Sequence, residues 1–383
     1  MHIGFLTSEF PHPKVAHSAG IGTSIFNLSK GLSALGHRVS VIVYGQASDE
    51  KLDCEGISLY LVKNRRIKGL SRFLTQKKIQ KLIDKLVQNE SLDLIEAADW
   101  TGITSNINPK CPVVVKLHGS DTYFCHLDGR PVKPINKFRE KRALERAGSI
   151  VSVSAFTALV TKELFGLDRD IEVIPNGIDI GNFQPSDSSP KAGKVLYFGT
   201  LIRKKGLLEL PPIFNKLIEM NPGATLELVG KDSADVRTSN PSTWEMMKPL
   251  FTPQALQKVV YSGAVEYSEM RQKIDQAEVC VFPTFAEALP VSWIETMAMG
   301  KAMVASNIGW APEIVENHKQ GYLVHPEAHA EFARCINALL SDKPLREAMG
   351  NEARKRAISE FANDVIAKKS AIFYERIIRG NSK

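Results

Sequence analysis

Residues 279–300 read VCVFPTFAEALPVSWIETMAMG, and the fold can be read outward from this stretch. Val279-Cys280-Val281-Phe282 is a short β-branched and apolar run of the kind a buried strand uses, and Pro283 ends it. A loop carrying Glu287 follows. A helix then opens near Pro290 and closes at Gly300, the expected asymmetry of proline just inside a helix start and glycine just past its end. Glu287 and Glu295 stand with seven residues between them, one in the loop and one inside the helix. A strand, a loop and a helix N-terminus together form an anion site, because the first N–H groups of a helix have no partner within it. Pro290 has no N–H to donate, so Val291 and Ser292 are the expected phosphate donors. Carboxylates beside such a corner suit a ligand with hydroxyl as well as phosphate groups.

The same strand-to-helix rhythm runs through the chain. Apolar runs at 2–7, 38–44, 57–62, 92–96, 112–117, 150–153 and 171–174 predict strands in a first half. Runs at 195–198, 225–229, 259–262, 279–282, 302–305 and 321–324 predict strands in a second half. Helical patterns between them, such as 24–35, 70–90 and 134–147, imply parallel sheets covered on both faces. At 383 residues the chain is too long for one ordinary core. The polar, Pro- and Ser-rich segment 180–193 is the natural linker. The expectation is α/β, with two doubly wound Rossmann-like domains over 1–185 and 186–360. Segment 361–383 is expected to be a C-terminal helix that packs back on the first domain. Ligands are expected at the carboxyl ends of both sheets, across a cleft.

Composition narrows the class. Hydrophobic content of 43% and charge of 24% are ordinary for a globular protein. A net charge of +7 favours anionic partners. The five cysteines are scattered and form no C-x-x-C pair, so neither a zinc site nor a disulfide framework is expected. Met1-His2-Ile3-Gly4-Phe5-Leu6 reads as a first strand rather than a signal peptide, and no apolar run is long enough to span a membrane. A cytoplasmic protein, peripheral on the inner face of the membrane, is the resulting expectation. Residues 61–90 hold nine Lys or Arg against two acids, and 130–146 hold seven against two. Helix 70–90 carries Ile79, Leu82, Ile83, Leu86 and Val87 on one face and bases on the other. It can lie on an anionic membrane or simply dock with its basic face in water. No aromatic interleaving accompanies the charge, which argues against nucleic acid.

Two further corners bear on function. Gly20 and Gly22 lie where the first strand passes into a helix, a position that brings backbone close to a donor ligand. A dinucleotide fingerprint is incomplete there, because position 25 is Ile25 and no acid ends the second strand at Tyr44-Gly45-Gln46. His118-Gly119, Asp99-Trp100 and Asp121 stand at or just beyond other strand ends.

The ordered set resembles the glycosyltransferases of family 4, retaining enzymes of the GT-B fold. It comprises Gly20-Ile21-Gly22, Gly36-His37, His118-Gly119, Pro175-Asn176-Gly177-Ile178-Asp179, Lys205-Gly206 and the Glu287/Glu295 pair. The resemblance implies a nucleotide-diphospho-sugar donor and a glycan or lipid-linked acceptor. It also implies hexosyl transfer in cell-surface polysaccharide or glycolipid synthesis, with no cofactor and no metal. It places Glu287 by the donor sugar, Glu295 on the ribose hydroxyls, Lys205 on the diphosphate and His118 at the reaction centre. The family's arginine after the glycine is Thr200 here, and Arg203 is the expected substitute. Asp99, Trp100 and Asp121 are acceptor-side candidates. The departures at Thr200 and at Ala288-Leu289-Pro290 keep open a second reading, a GT-B protein that binds sugars or partners with little catalysis.

Overall fold

The computed structural model describes residues 1–186 and 189–381. Contacts divide it into two compact units: Met1–Ile178 together with the described residues from Phe361 onward, and Asp179–Glu360. The chain leaves and re-enters the first unit at one place. Ile178 N–H donates to the Phe361 carbonyl at 2.8 Å, and Asn363 N–H donates to the Ile178 carbonyl at 2.9 Å.

In the first unit the strands are β1 (His2–Thr7), β2 (Arg38–Gln46), β3 (Glu50–Cys54), β4 (Ile57–Lys63), β5 (Leu94–Ala98), β6 (Val113–Leu117), β7 (Ser149–Ser152) and β8 (Glu172–Val173). Their order in the sheet is β3-β4-β2-β1-β5-β6-β7-β8. All neighbours pair parallel except β3 and β4, which form an antiparallel hairpin at the edge. The sheet is therefore mixed, where a purely parallel one was expected. The segment Glu-Lys-Leu-Asp-Cys is polar and short, as edge strands tend to be.

Alternation along each strand sends side chains to opposite faces. Ile3 and Phe5 of β1, Val41 and Val43 of β2, and Leu59 and Leu61 of β4 pack with Ile25, Leu28 and Leu32 of α1 (Gly20–Ala34). The helix Asn363–Asn381 lies on the same side, contributing Ile366, Ala367, Phe373 and Tyr374 to this core. It crosses α1 closely: a Cβ on Gly31 would stand 2.8 Å from the Ala367 Cβ, so only glycine admits this approach. The other face buries Leu6, Ile42, Tyr60 and Val62 against Ile79, Ile83 and Leu86 of α2 (Ser71–Glu90). Tyr374 Oη donates to the Glu96 carboxylate on β5 at 2.6 Å, tying the C-terminal helix to the sheet through a buried polar contact.

The second unit is a parallel sheet of β9 (Lys194–Phe198), β10 (Thr225–Val229), β11 (Val259–Tyr261), β12 (Val279–Phe282), β13 (Met303–Ser306) and β14 (Gly321–Val324). Their order is β11-β10-β9-β12-β13-β14. The chain moves outward from β9 to β11, then returns to lay β12 on the other side of β9. The crevice where connections diverge thus opens at the carboxyl ends of β9 and β12, the place where doubly wound sheets bind ligands. In the first unit the equivalent point lies between β1 and β5.

Candidate functional site

Two loops meet at the β9/β12 switch point. The loop after β9 carries Gly199 to Gly206, and the loop after β12 carries Pro283 to Pro290. They are joined by main-chain bonds: Phe285 and Ala286 N–H both donate to the Lys204 carbonyl, at 2.9 and 3.1 Å. Gly206 has φ +71°, and a Cβ there would lie 1.6 Å from the Pro283 carbonyl oxygen. Only glycine permits the loops to touch, which is the physical content of the Lys-Gly motif.

This contact brings Lys205 onto Glu287. Nζ lies 3.1 Å from Oε1, with side chains 21% and 16% exposed. Burial works against the Lys205 charge, but the Glu287 carboxylate more than offsets it, and the ammonium is held above its ordinary range. Burial likewise opposes the Glu287 charge, and the Lys205 ammonium outweighs it to hold the carboxyl below its ordinary range. Both are ionised at neutral pH. Tyr197 of β9 sits against the pair. Its phenol donates to the Thr200 carbonyl at 3.1 Å, and burial pushes it well above its usual range.

Beside the pair begins the helix Val291–Ala298, whose N-cap is Pro290, with no side chain capping it. Among the described residues no hydrogen bond uses the N–H of Val291 or Ser292. These two donors, with the positive end of the helix, stand at the β12 loop. Glu295 is in the same helix, buried, and close enough to raise the Lys205 pKa further. Lys205, Glu287, Glu295 and the helix start therefore form one group at the switch point.

Arg203 does not join it. Its guanidinium forks onto the Asp235 carboxylate, Nε to Oδ1 at 2.8 Å and Nη2 to Oδ2 at 2.9 Å. Asp235 also accepts from the Thr238 N–H and hydroxyl, so the fork is held from both sides. The expected place of Arg203 beside Lys205, in the position of the arginine absent at Thr200, is not what the geometry gives: its Nε and Nη2 serve the buried Asp235 carboxylate instead.

In the first unit, His118 follows β6 and is nearly buried. Burial, and then the Lys116 charge, depress its pKa to about 3, so the imidazole is neutral. Its main-chain N–H donates to Asp99 Oδ1 at 3.0 Å. Asp99 is buried and holds this turn from β5, rather than lining an open acceptor surface as expected. Burial raises its carboxyl to about 7, the His118 N–H opposes the rise, and the Glu140 charge adds to it. Oδ2 of Asp99 is buried without a partner. Trp100 begins a short 3-10 turn (Trp100–Gly102) and is exposed. Asp121 opens α3 (Asp121–Leu127) and accepts from Asn136 at 2.9 Å. The α3 N-terminus is itself filled by Glu140, which accepts from the N–H groups of Asp121 and Thr122, both at 3.1 Å.

The glycine corner is also corrected. α1 starts at Gly20, so Gly20 and Gly22 lie in its first turn rather than before it. Gly22 N–H donates to Glu9 Oε1 at 2.8 Å, and a Cβ at Gly22 would stand 2.9 Å from the Glu9 main chain. The helix start is occupied by a carboxylate from the β1 loop. Sequence reading missed Glu9, although an acid facing a helix N-terminus is a legible dipole partner. It missed Asp235, for which no local signal exists, and Tyr197, which reads as an ordinary strand aromatic. Among the described residues, no cluster of three or more His, Cys, Asp or Glu side chains is placed to hold a metal ion.

Both units are doubly wound, the first on a mixed sheet and the second on a parallel one, and each carries its chemistry-bearing residues at strand ends near its switch point, the build of a two-domain α/β protein that binds ligands there. The model of "Glycosyltransferase Family 4" matches residues 18–182, and that of "Glycosyl transferases group 1" matches 181–356. The chain belongs to the group 1 glycosyltransferases of the GT-B fold. An uncharacterized glycosyltransferase of Methanocaldococcus jannaschii is 26% identical over 98% of both chains. A glycogen synthase of Mycobacterium tuberculosis is 26% identical over 63% of this chain and 57% of its own length. Among solved structures, sucrose-phosphate synthase of Thermosynechococcus elongatus superposes with a TM-score of 0.79 at 18% identity, covering 99% of each chain. Anabaena HepE in complex with UDP superposes at 0.75 with 19% identity, over 98% of this chain and 100% of that one.

Proposed function

We propose that this glycosyltransferase moves a hexosyl group, with retention, from a nucleotide-diphospho-sugar to a glycan or lipid-linked acceptor. Its place would be cell-surface polysaccharide or glycolipid synthesis at the cytoplasmic side of the membrane. The observation that carries the reading is the Lys205–Glu287 pair beside an uncapped helix start at the switch point. Breaking the bond between sugar and diphosphate puts negative charge on the leaving group and positive character on the ring. Lys205 and the N–H groups of Val291 and Ser292 are suited to the first, and the Glu287 carboxylate to the second. Glu295 suits the ribose hydroxyls. His118, neutral and buried, suits a hydrogen bond to a sugar hydroxyl rather than proton removal. Positive charge from Lys205 and the helix start supports transfer without a metal ion.

HepE has been solved with UDP-glucose, which makes UDP-sugars the first donors to try. Thermal-shift assays with UDP- and GDP-linked sugars are expected to show stabilisation by one base. Donor turnover should be insensitive to chelator and lost in Lys205→Ala. Stabilisation by none of the nucleotide sugars overturns the proposal. The commitment of Arg203 to Asp235 favours one alternative, a binding protein with weak catalysis. Nucleotide-sugar binding without any donor hydrolysis or transfer would select it.

A further inference from the structure

Three elements of the first unit meet around Gly102. Arg72, at the start of α2, donates through Nη2 to the Thr101 carbonyl at 2.5 Å, and Gln76 Nε2 reaches the Ile103 carbonyl at 2.7 Å. The helix Pro134–Arg146 presses on the same turn: a Cβ on Gly102 would lie 2.4 Å from the Arg139 carbonyl. The loop before α2 is tied in through Ile67 N–H, which donates to Ser71 Oγ at 2.9 Å.

Each of these elements exposes large apolar side chains where a water-facing surface would carry polar ones. Phe138 is 60% exposed, Leu70 54%, Ile67 52%, Ile135 49% and Phe73 45%, and the exposed Trp100 lies on the turn they surround. Scattered single apolar residues are ordinary; this many on three touching elements is not. Bases accompany them in stripes. On α2, Phe73, Lys77, Lys81 and Lys85 recur every fourth residue and are all exposed. Lys77 Nζ lies 5.7 Å from the Phe73 ring centroid. On the other helix Lys133, Lys137 and Lys141 repeat the spacing around Ile135 and Phe138. Arg65, Arg66 and Lys68 flank Ile67. Among the described residues none of Arg65, Arg66, Lys68, Lys77, Lys81 and Lys85 forms an ion pair with a carboxylate, and neither do Lys133 and Lys137.

We propose that this face docks the protein on a bilayer bearing anionic phospholipid, the apolar side chains entering the headgroup boundary and the lysines meeting lipid phosphates. The charge complementarity selects the occupant. Unpaired cations around an apolar centre fit an anionic surface with a hydrocarbon interior, and a soluble polyanion has no use for the apolar part. The sequence pattern pointed to helix 70–90 alone. The structure extends the surface to the loop before it, to the Trp100 turn and to the helix Pro134–Arg146. This rests on the membrane-side placement proposed above. It uses none of the donor-site residues, so vesicle binding and nucleotide binding can fail separately.

The test is flotation of the full chain with vesicles of phosphatidylcholine alone and of phosphatidylcholine mixed with phosphatidylglycerol. The expected result is flotation with the mixed vesicles only, reversed by salt as the screening length falls from about 10 Å at 0.1 M to about 3 Å at 1 M. Lys77→Gln with Lys81→Gln should lower the vesicle affinity about thirty-fold, as expected for about 1 kcal/mol per base near the surface. Phe73→Ser with Phe138→Ser should abolish flotation while leaving retention on a heparin column unchanged, because every charge remains. All four side chains are exposed, so thermal midpoints and nucleotide-induced shifts should stay at wild-type values. Equal flotation with both vesicle types, or with neither, overturns the proposal. So does undiminished flotation of the Phe73/Phe138 variant. A wild-type dimer that this variant dissolves, with vesicles ignored, would assign the face to a second copy of the chain.

Discussion

Lys205 and Glu287 neutralise each other, and this makes an asymmetric prediction about nucleotide binding. A diphosphate must draw Lys205 away from a carboxylate 3.1 Å distant. A charge-assisted hydrogen bond contributes about 1.5–3 kcal/mol net, so Lys205→Ala should weaken UDP or GDP binding about 10- to 150-fold. Glu287→Gln keeps the shape, removes the competing charge and frees the lysine. Free diphosphate should then bind as well as to wild type or up to about tenfold tighter, since close charge pairs couple by about 1–2 kcal/mol. Sugar transfer should nevertheless collapse, because the carboxylate proposed to stand beside the sugar is gone. Stability gives a second readout. Both side chains are largely buried, so removing the lysine alone strands Glu287 and should cost about 3 kcal/mol, the low end for a broken buried pair. The double variant Lys205→Ala with Glu287→Gln should be more stable than the two single costs added together. Isothermal titration with UDP and GDP, urea denaturation and single-turnover transfer on the four proteins close the cycle. If Glu287→Gln weakens free diphosphate as much as Lys205→Ala does, the lysine is not held by Glu287 and the assignment of the two roles fails.

Arg203→Ala should act on stability first. It strips the fork from Asp235, whose side chain is 2% exposed, and with Arg203 itself 30% exposed the cost should be about 2 kcal/mol in urea denaturation. An unchanged midpoint with lost turnover would return Arg203 to the reaction. Glu227 offers a pH test. Burial opposes its charge, but the Lys194 and Lys273 ammonium groups at 2.5 and 2.6 Å, with Ser262, hold its carboxyl at about 2. A depressed carboxyl contributes its stability above the unfolded value of about 4.5 and loses it as pH falls toward 2. Acid titration of Glu227→Gln against wild type should show that difference shrinking from about 3 kcal/mol across this window. Tyr374→Phe should leave buried Glu96 without its donor and cost about 1–3 kcal/mol, read as a lower thermal midpoint. No change there would mean that the C-terminal helix is held by its apolar contacts alone.

Local pattern carried most of the architecture. Strand 279–282 was legible because a buried parallel strand is a continuous apolar run, here ended by Pro283, and 225–229 because its apolar residues run up to Gly230. The hairpin strand Glu50–Cys54 was not, because a short polar edge strand resembles a loop until its partner is known. The glycines at 20–22 were expected ahead of a helix over 24–35 but form its first turn, because glycine marks close approach as well as bends. There it admits the Glu9 main chain against the first turn of a helix.

By itself the sequence determined the alternation of strands and helices, the helix start at Pro290 and the spacing that puts Glu287 in a loop and Glu295 in the following helix. These follow from neighbours within a few residues, where backbone geometry is set. Which charges meet was decided only by the tertiary structure. Lys205 reaches Glu287 because β12 returns to lie beside β9 and glycine lets their loops touch. Arg203, two residues away, turns to Asp235 instead. Asp99 is drawn inward to the His118 turn, and Glu9 to the α1 start. Each basic or N–H donor had several acids available along the chain. Strand order and the desolvation of buried charge chose among them, and neither is written in any local window.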